Sequence, residues 1–468
     1  MRFELKAFLR TLPIVSIWNL VWPQTATMLC TMIIGLTDIW VAGRIDSGTQ
    51  AAIGFSTQIQ AFLMVLGMSL GAGAMAAVSQ SMGAGRRGRV QRYVGLVMVL
   101  GIVFGLALSV FMYLGGRMVL GLLYVPAGLE DITRFFYHML LLGLPAQYVM
   151  NVGSVLFRAS RNVLMPLFVV IVACLINVFG DLGFGLGLWG LPACGASGIA
   201  WSTFIAVYTG AVLILLLLLR TRLMSPRVLP PLVWMRHAVP YLLKVSLPAL
   251  LTQFLWQGGY LSLFVIMAAL PDSVDELAGM TAGIRVESML FMPAVAFNMT
   301  AAIMVGNLLG AGKVTEARRT GLAITVLGVL CMSTVGACMW FFMDALARFF
   351  SLNQAVQEQI LSYLFYNILS TPFTVGSMIL NGVMTGAGAT LYTLVVNTSC
   401  IWLVRLPLAW VLAHVVWGGS RGVYTAMLVS MVVQASAMLW VFFRKNWPGH
   451  AMRRSCSVAS PAGSAERS

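Results

Sequence analysis

Residues 211–236 read AVLILLLLLRTRLMSPRVLPPLVWMR. The first nine are apolar without a break, and the remainder is rich in Arg and Pro. A run with no polar face needs apolar surroundings on every side. It is also the wrong pattern for a membrane β-strand, which alternates over about 10 residues. Working outward, similar runs fall at 12–41, 51–80, 93–117, 132–157, 163–188 and 195–219 before the basic stretch. A second set falls at 240–270, 278–309, 320–343, 359–384, 390–416 and 422–443. Each is of the order of the ~20 residues that cross a bilayer as a helix. Of the 468 residues 60% are hydrophobic and 9% charged, and mean hydropathy is +0.91. A soluble domain of that composition would leave its exterior apolar. The chain is therefore expected to be an all-α integral membrane protein with twelve transmembrane helices.

The basic stretch divides the runs into two sets of six. This gives an N-terminal lobe at 1–219, a cytoplasmic linker at 220–239 and a C-terminal lobe at 240–445. Residues 446–468 are rich in Ser, Ala and Arg and are expected to be a disordered cytoplasmic tail. The formal charge of +15 invites a nucleic-acid reading. The basic residues lie in short loops between apolar runs, however, so they set orientation instead. Twenty-two of the 29 Lys and Arg fall on the side of the N-terminus, called side one here, and five on side two. That asymmetry predicts an inner-membrane protein with both termini cytoplasmic. The N-terminal MRFELKAFLRTLP leads into an apolar run with no small-residue cleavage site, so the first helix is expected to be retained.

The halves match at an offset of 227 residues. Gly83-Ala84-Gly85 pairs with Gly310-Ala311-Gly312, Pro145 with Pro372, and Val78 with Val305. Six spans per half give both halves the same orientation, so the repeats are parallel. Two six-helix bundles with an inter-lobe cavity follow, rocking to expose it to each side in turn.

Few acids lie within the spans. Asp38 is near the side-two end of the first: either an interfacial acid beside Arg44 or a proton- or cation-binding group facing the lobe interior. Asp181 sits inside the Gly-rich fifth span, with Asn177 four residues earlier on the same helical face. A carboxylate and an amide oxygen together suit a hard cation or a proton relay. Glu287 and Arg285 lie in the eighth span and Arg405 in the eleventh. Residues two apart do not face each other on a helix, so Arg285 and Glu287 are not a simple pair. They are candidates for a charge network or a substrate-facing cavity. Pro23 interrupts the first helix and permits a bend. Thirty Met could, with Phe and Trp, line an adaptable cavity. The seven Cys are scattered without CxxC, the four His are isolated, and no Walker loop or Ser-His-Asp arrangement occurs. No enzyme and no cofactor are expected.

Three stretches resemble the multidrug and toxic compound extrusion (MATE) family. Trp22-Pro23 is followed by Asp38 in TDIWVAGR; SQSMGAGRRGRV and GNLLGAGKVTEA resemble that family's paired loops; and NVFGDLGFGLG resembles the fifth span of its DinF-like group. VRLPLAW at 404–410 also fits. The resemblance implies an antiporter coupled to H⁺ or Na⁺ that exports small organic drugs and toxic compounds, cationic or lipophilic, as a monomer in the bilayer. It implies ion coupling at Asp38, Asn177 and Asp181, with Thr203 similar to a sixth-span threonine that helps ligate Na⁺ in some relatives. It also implies bending at Pro23. Other relatives carry acids in the seventh and tenth spans, whereas TQFLWQGG at 252–259 has none. Coupling is thus expected in the N-terminal lobe alone. The rival readings are a flippase for lipid-linked oligosaccharides, a major-facilitator-type carrier and a lipid-modifying membrane enzyme.

Overall fold

The computed structural model describes residues 14–116, 118, 121, 127–225, 230–271 and 273–452. Among the described residues, twelve helices are long and apolar enough to cross a membrane. Six precede the linker: Ile14–Ile45, Ser47–Gly83, Arg87–Leu114, Glu130–Ala159, Leu164–Gly185 and Ala196–Arg220. Six follow it: Leu232–Ala268, Met292–Gly310, Val314–Trp340, Gln354–Ala387, Thr390–Val416 and Ser420–Arg444. Helix is forced by the solvent, because hydrocarbon offers the backbone no hydrogen bonds and each segment must make its own. Large apolar side chains such as Phe111, Leu261 and Leu403 stand exposed on the outer surface, where acyl chains would meet them.

Three expectations need correction. The apolar run at 278–309 is interrupted: Ser273–Leu290 and Met292–Gly310 are separate helices meeting at Phe291. Pro293 has no N–H to bond back along the chain. The related position of the first half is Leu66, and Ser47–Gly83 runs unbroken there. The linker assigned to 220–239 is shorter, because Pro231 caps the seventh helix and Leu232 already begins it. A proline is well placed at such a start, where its missing N–H loses nothing.

The third correction concerns the tail assigned to 446–468. Residues 453–468 lie outside the described residues, but 446–452 fold onto the bundle. Trp447 is fully buried, donates its indole N–H to the Phe442 carbonyl at 2.9 Å, and stacks on the Phe442 ring. Arg318 also lies over the indole, 5.5 Å from the ring centroid. Burial of one large indole outweighs the polar composition of its neighbours.

Both GAG loops close their helices in the same way. Gly85 and Gly312 take left-handed φ values of 70° and 80°. Arg86 N–H then returns to Ser81 O, and Lys313 N–H to Leu308 O. These bonds satisfy carbonyls that a helix end leaves open. Just before each loop the lobes meet backbone to backbone. A Cβ on Gly83 would lie 1.8 Å from Asn307 O, and one on Gly310 would lie 2.0 Å from Gln80 O. Gln80 and Asn307 are themselves 227 residues apart, so the contact is symmetric. Gln80 also donates to Gly386 O at 2.8 Å and accepts from Met452 N–H at 2.8 Å.

The apolar core records the same asymmetry between the two sides. At side one, a single cluster runs through both lobes, from Ala74 and Val97 to Ile303, Val383 and Trp447. Toward side two the lobes have separate cores. One gathers Val41, Ile53, Phe136 and Ile199, and the other Met267, Ile360, Ala409 and Tyr424. The lobes are joined at side one and part toward side two.

Candidate functional site

Asp38 and Asp181 are neighbours inside the N-terminal lobe, with Asn177 beside Asp38. The fifth helix brings Asp181 there through a local change of winding. It runs as α-helix over Leu164–Gly180 and widens to a π turn at Asp181–Gly185. Such wide turns are rare and concentrate at functional positions. Glycines let the neighbouring helices close on this turn. A Cβ on Gly180 would lie 2.5 Å from Ser202 Oγ, and one on Gly198 would lie 2.4 Å from Phe184 O. A Cβ on Gly185 would meet Val41 of the first helix at 2.9 Å.

Asn177 and Thr203 complete the group. Asn177 Nδ2 donates to Asp38 Oδ1 at 3.2 Å and to Thr203 Oγ1 at 3.1 Å. Asn177 and Asp181 are fully buried. Asn177 Oδ1 and both Asp181 oxygens receive no hydrogen bond among the described residues. Buried oxygens without donors are costly, and a pair of facing carboxyls needs a positive partner or a proton. No basic side chain supplies one among the described residues. Arg44, the interfacial alternative, lies over the Trp40 ring at 5.0 Å and forms no ion pair with Asp38. Asp38 also lines a cavity of about 100 Å³ with Gln60, Gln147, Thr57, Met139 and Thr203. The cluster can hold a proton or a small hard cation on oxygen ligands.

Pro23 lies some four turns away within the continuous first helix. Thr27 donates to the Pro23 carbonyl at 2.7 Å, and Gln24 reaches across the lobes to Thr300 Oγ1 at 2.9 Å. The acid-bearing helix is thus tied to the other lobe next to its proline.

The C-terminal lobe has a different centre. Its eleventh helix also widens, at Cys400–Arg405 and Leu412–Val416. The charge at the first of these turns is Arg405, which is 1% exposed. Its Nε donates to Ser430 Oγ at 2.8 Å, and its guanidinium lies 5.5 Å from the Trp256 ring centroid. Glu287 accepts a hydrogen bond from Tyr363, with Asn367 and Arg405 close by. Arg285 is exposed and stands outside this group. Sequence reasoning found Glu287 and Arg405 but missed Tyr363, Asn367 and Tyr260, the last of which lies near both Glu287 and Arg405. Buried tyrosine hydroxyls close to a spanning acid were the available signal.

The MatE family model matches residues 23–182 and 248–411. A probable multidrug resistance protein NorM of Thermotoga maritima is 24% identical over 436 residues, 93% of each chain. Another from Synechocystis sp. is 24% identical over 94% of this chain and 96% of its own. Among solved structures, the Vibrio cholerae MATE transporter VcmN in the bent form superposes with a TM-score of 0.85 at 22% identity. It covers 93% of this chain and 97% of its own. The chain therefore belongs to the MatE family of membrane transporters.

Proposed function

We propose that the protein exports small organic compounds, cationic or lipophilic, by alternating access, in exchange for H⁺ or Na⁺ bound at Asp38, Asn177, Asp181 and Thr203. One observation carries the coupling: a buried cluster of oxygens that no basic side chain among the described residues neutralises. A mobile cation is the partner such a cluster lacks. Its arrival or departure biases the two arrangements of the lobes, because each stabilises the charged or the neutral cluster differently. The export of drugs is inferred from relatives such as the probable multidrug resistance protein NorM of Thermotoga maritima.

The proton reading uses the Asn177 amide as it stands, its nitrogen donating to Asp38 and Thr203. The sodium reading turns the amide so that Oδ1 joins the carboxylates as a ligand. We further propose an inner-membrane monomer with side one in the cytoplasm, on the charge asymmetry of the loops. Dye export from inverted vesicles, with sodium and proton gradients imposed separately, tests the coupling. Export that is unchanged in Asp38→Asn and Asp181→Asn under either gradient would sink it.

A further inference from the structure

We propose that the crevice between the starts of the third and seventh helices binds the phosphate of an anionic phospholipid headgroup, which bridges the two lobes at side one. The stretch RRGRVQR at 86–92 carries four Arg, and Arg86, Arg89 and Arg92 recur every third residue along one helical edge. They line a crevice of about 480 Å³ with Tyr93, Trp234 and His237, and no acid is among its lining residues.

The guanidinium groups here are held by rings. Arg92 lies 5.9 Å from the Trp234 ring centroid and Arg89 5.8 Å from that of Tyr93. Tyr93 and Trp234 pack edge to face at 4.9 Å. Arg89 also points to Met452, whose thioether is a weak acceptor and leaves the charge intact. Cation–π contacts fix the planar forks without consuming them, and such forks match phosphate oxygens. The third helix starts at Arg87, and no side chain caps it.

The repeat supplies the contrast. At the 227 offset, Arg86, Arg89 and Arg92 become Lys313, Glu316 and Arg319. There Lys313 and Glu316 form an ion pair at 3.1 Å. Orientation in the membrane would be served by either version. Among the described residues no acid lines the crevice between the lobes. Leu232 and Val233, at the start of the seventh helix, are 77% and 73% exposed. They give the crevice an apolar edge, which suits acyl chains and points to a lipid over free phosphate. Basic pockets between spanning helices on the cytoplasmic side recognise such headgroups. Because the third helix belongs to one lobe and the seventh to the other, a bound headgroup favours the arrangement joined at side one.

Native mass spectrometry of the full chain, titrated with phosphatidylglycerol or phosphatidylethanolamine, tests this. Wild type is expected to retain phosphatidylglycerol preferentially. The variant Arg89→Gln/Arg92→Gln should lose about thirtyfold of that binding, while Arg319→Gln at the related position keeps it. Arg92→Gln alone, at an exposed site, serves if the double variant does not fold. Retention of phosphatidylglycerol by the Gln variants overturns the proposal. So does an equal loss in Arg319→Gln, or displacement of the lipid by millimolar inorganic phosphate.

Discussion

The two lobes share one scaffold and place opposite charge at its widened helix. In the fifth helix the wide turn opens with Asp181; in the eleventh the first wide turn closes with Arg405. Around Asp181 are Asp38, Asn177 and Thr203, all oxygen or amide groups. Around Arg405 are Ser430, Trp256 and, nearby, Glu287 with Tyr363. A buried charge with an opposite charge close by in the fold, as Arg405 has in Glu287 without an ion pair between them, keeps its state as the protein moves. A buried acid without one must take its partner from solution. At the 227 offset Asp181 pairs with Leu408 and Arg405 with Val178, so the halves share a widened helix but not the place of its charge. On the proposed coupling, the N-terminal centre is exchangeable and the C-terminal one fixed.

That contrast can be broken most severely at the exchangeable centre. Asp181→Asn should abolish gradient-driven dye export while leaving the protein folded, as read by vesicle efflux and thermal unfolding together. The fixed centre should behave in the opposite way. Arg405→Gln leaves Glu287 without its nearby cation and should lower stability by about 3 kcal/mol. A double change of Arg405 and Glu287 to Met should recover much of the loss, measured as the unfolding temperature in detergent. Where the halves are alike, matched substitutions should be matched in effect. Gly83→Ala and Gly310→Ala each drive a methyl into the opposing backbone and should each cost about 2 kcal/mol. Labelling of a Ser79→Cys reporter should rise equally in both. Unequal labelling would show that the side-one contact is not symmetric in solution. The smallest effect is expected at Thr203→Val, which removes one hydrogen bond to Asn177. It should weaken ion dependence by about fivefold, read as a shift in the half-saturating cation concentration, with Thr203→Ser close to wild type.

Much of this architecture is legible in the sequence, for a physical reason. Hydrocarbon leaves the backbone one solution, so runs such as 211–219 declare a helix with no tertiary information. The repeat was visible because GAG loops need their glycines at fixed places. Asp38 and Asp181 stand out because acids in apolar helices are expensive, and Asn177 because it lies one turn before Asp181. What could not be read depends on contacts distant in sequence. Trp447 lies in a polar tail and is buried only because Phe442 and Arg318 form a slot for it. The break at Phe291 had a signal in Pro293, but many membrane helices run through a proline, as the first does through Pro23. The tyrosines around Glu287 look like ordinary core until the helix Ser273–Leu290 packs against the tenth.

The closure at Gly83 and Gly310 is made of main chain on main chain. It uses no side chain, so any residue with a Cβ at either glycine can only push the halves apart. A joint of that kind tolerates drift everywhere around it. Descendants of a doubled ancestor can rewrite the chemistry of each half separately, and the two pieces will still close on each other.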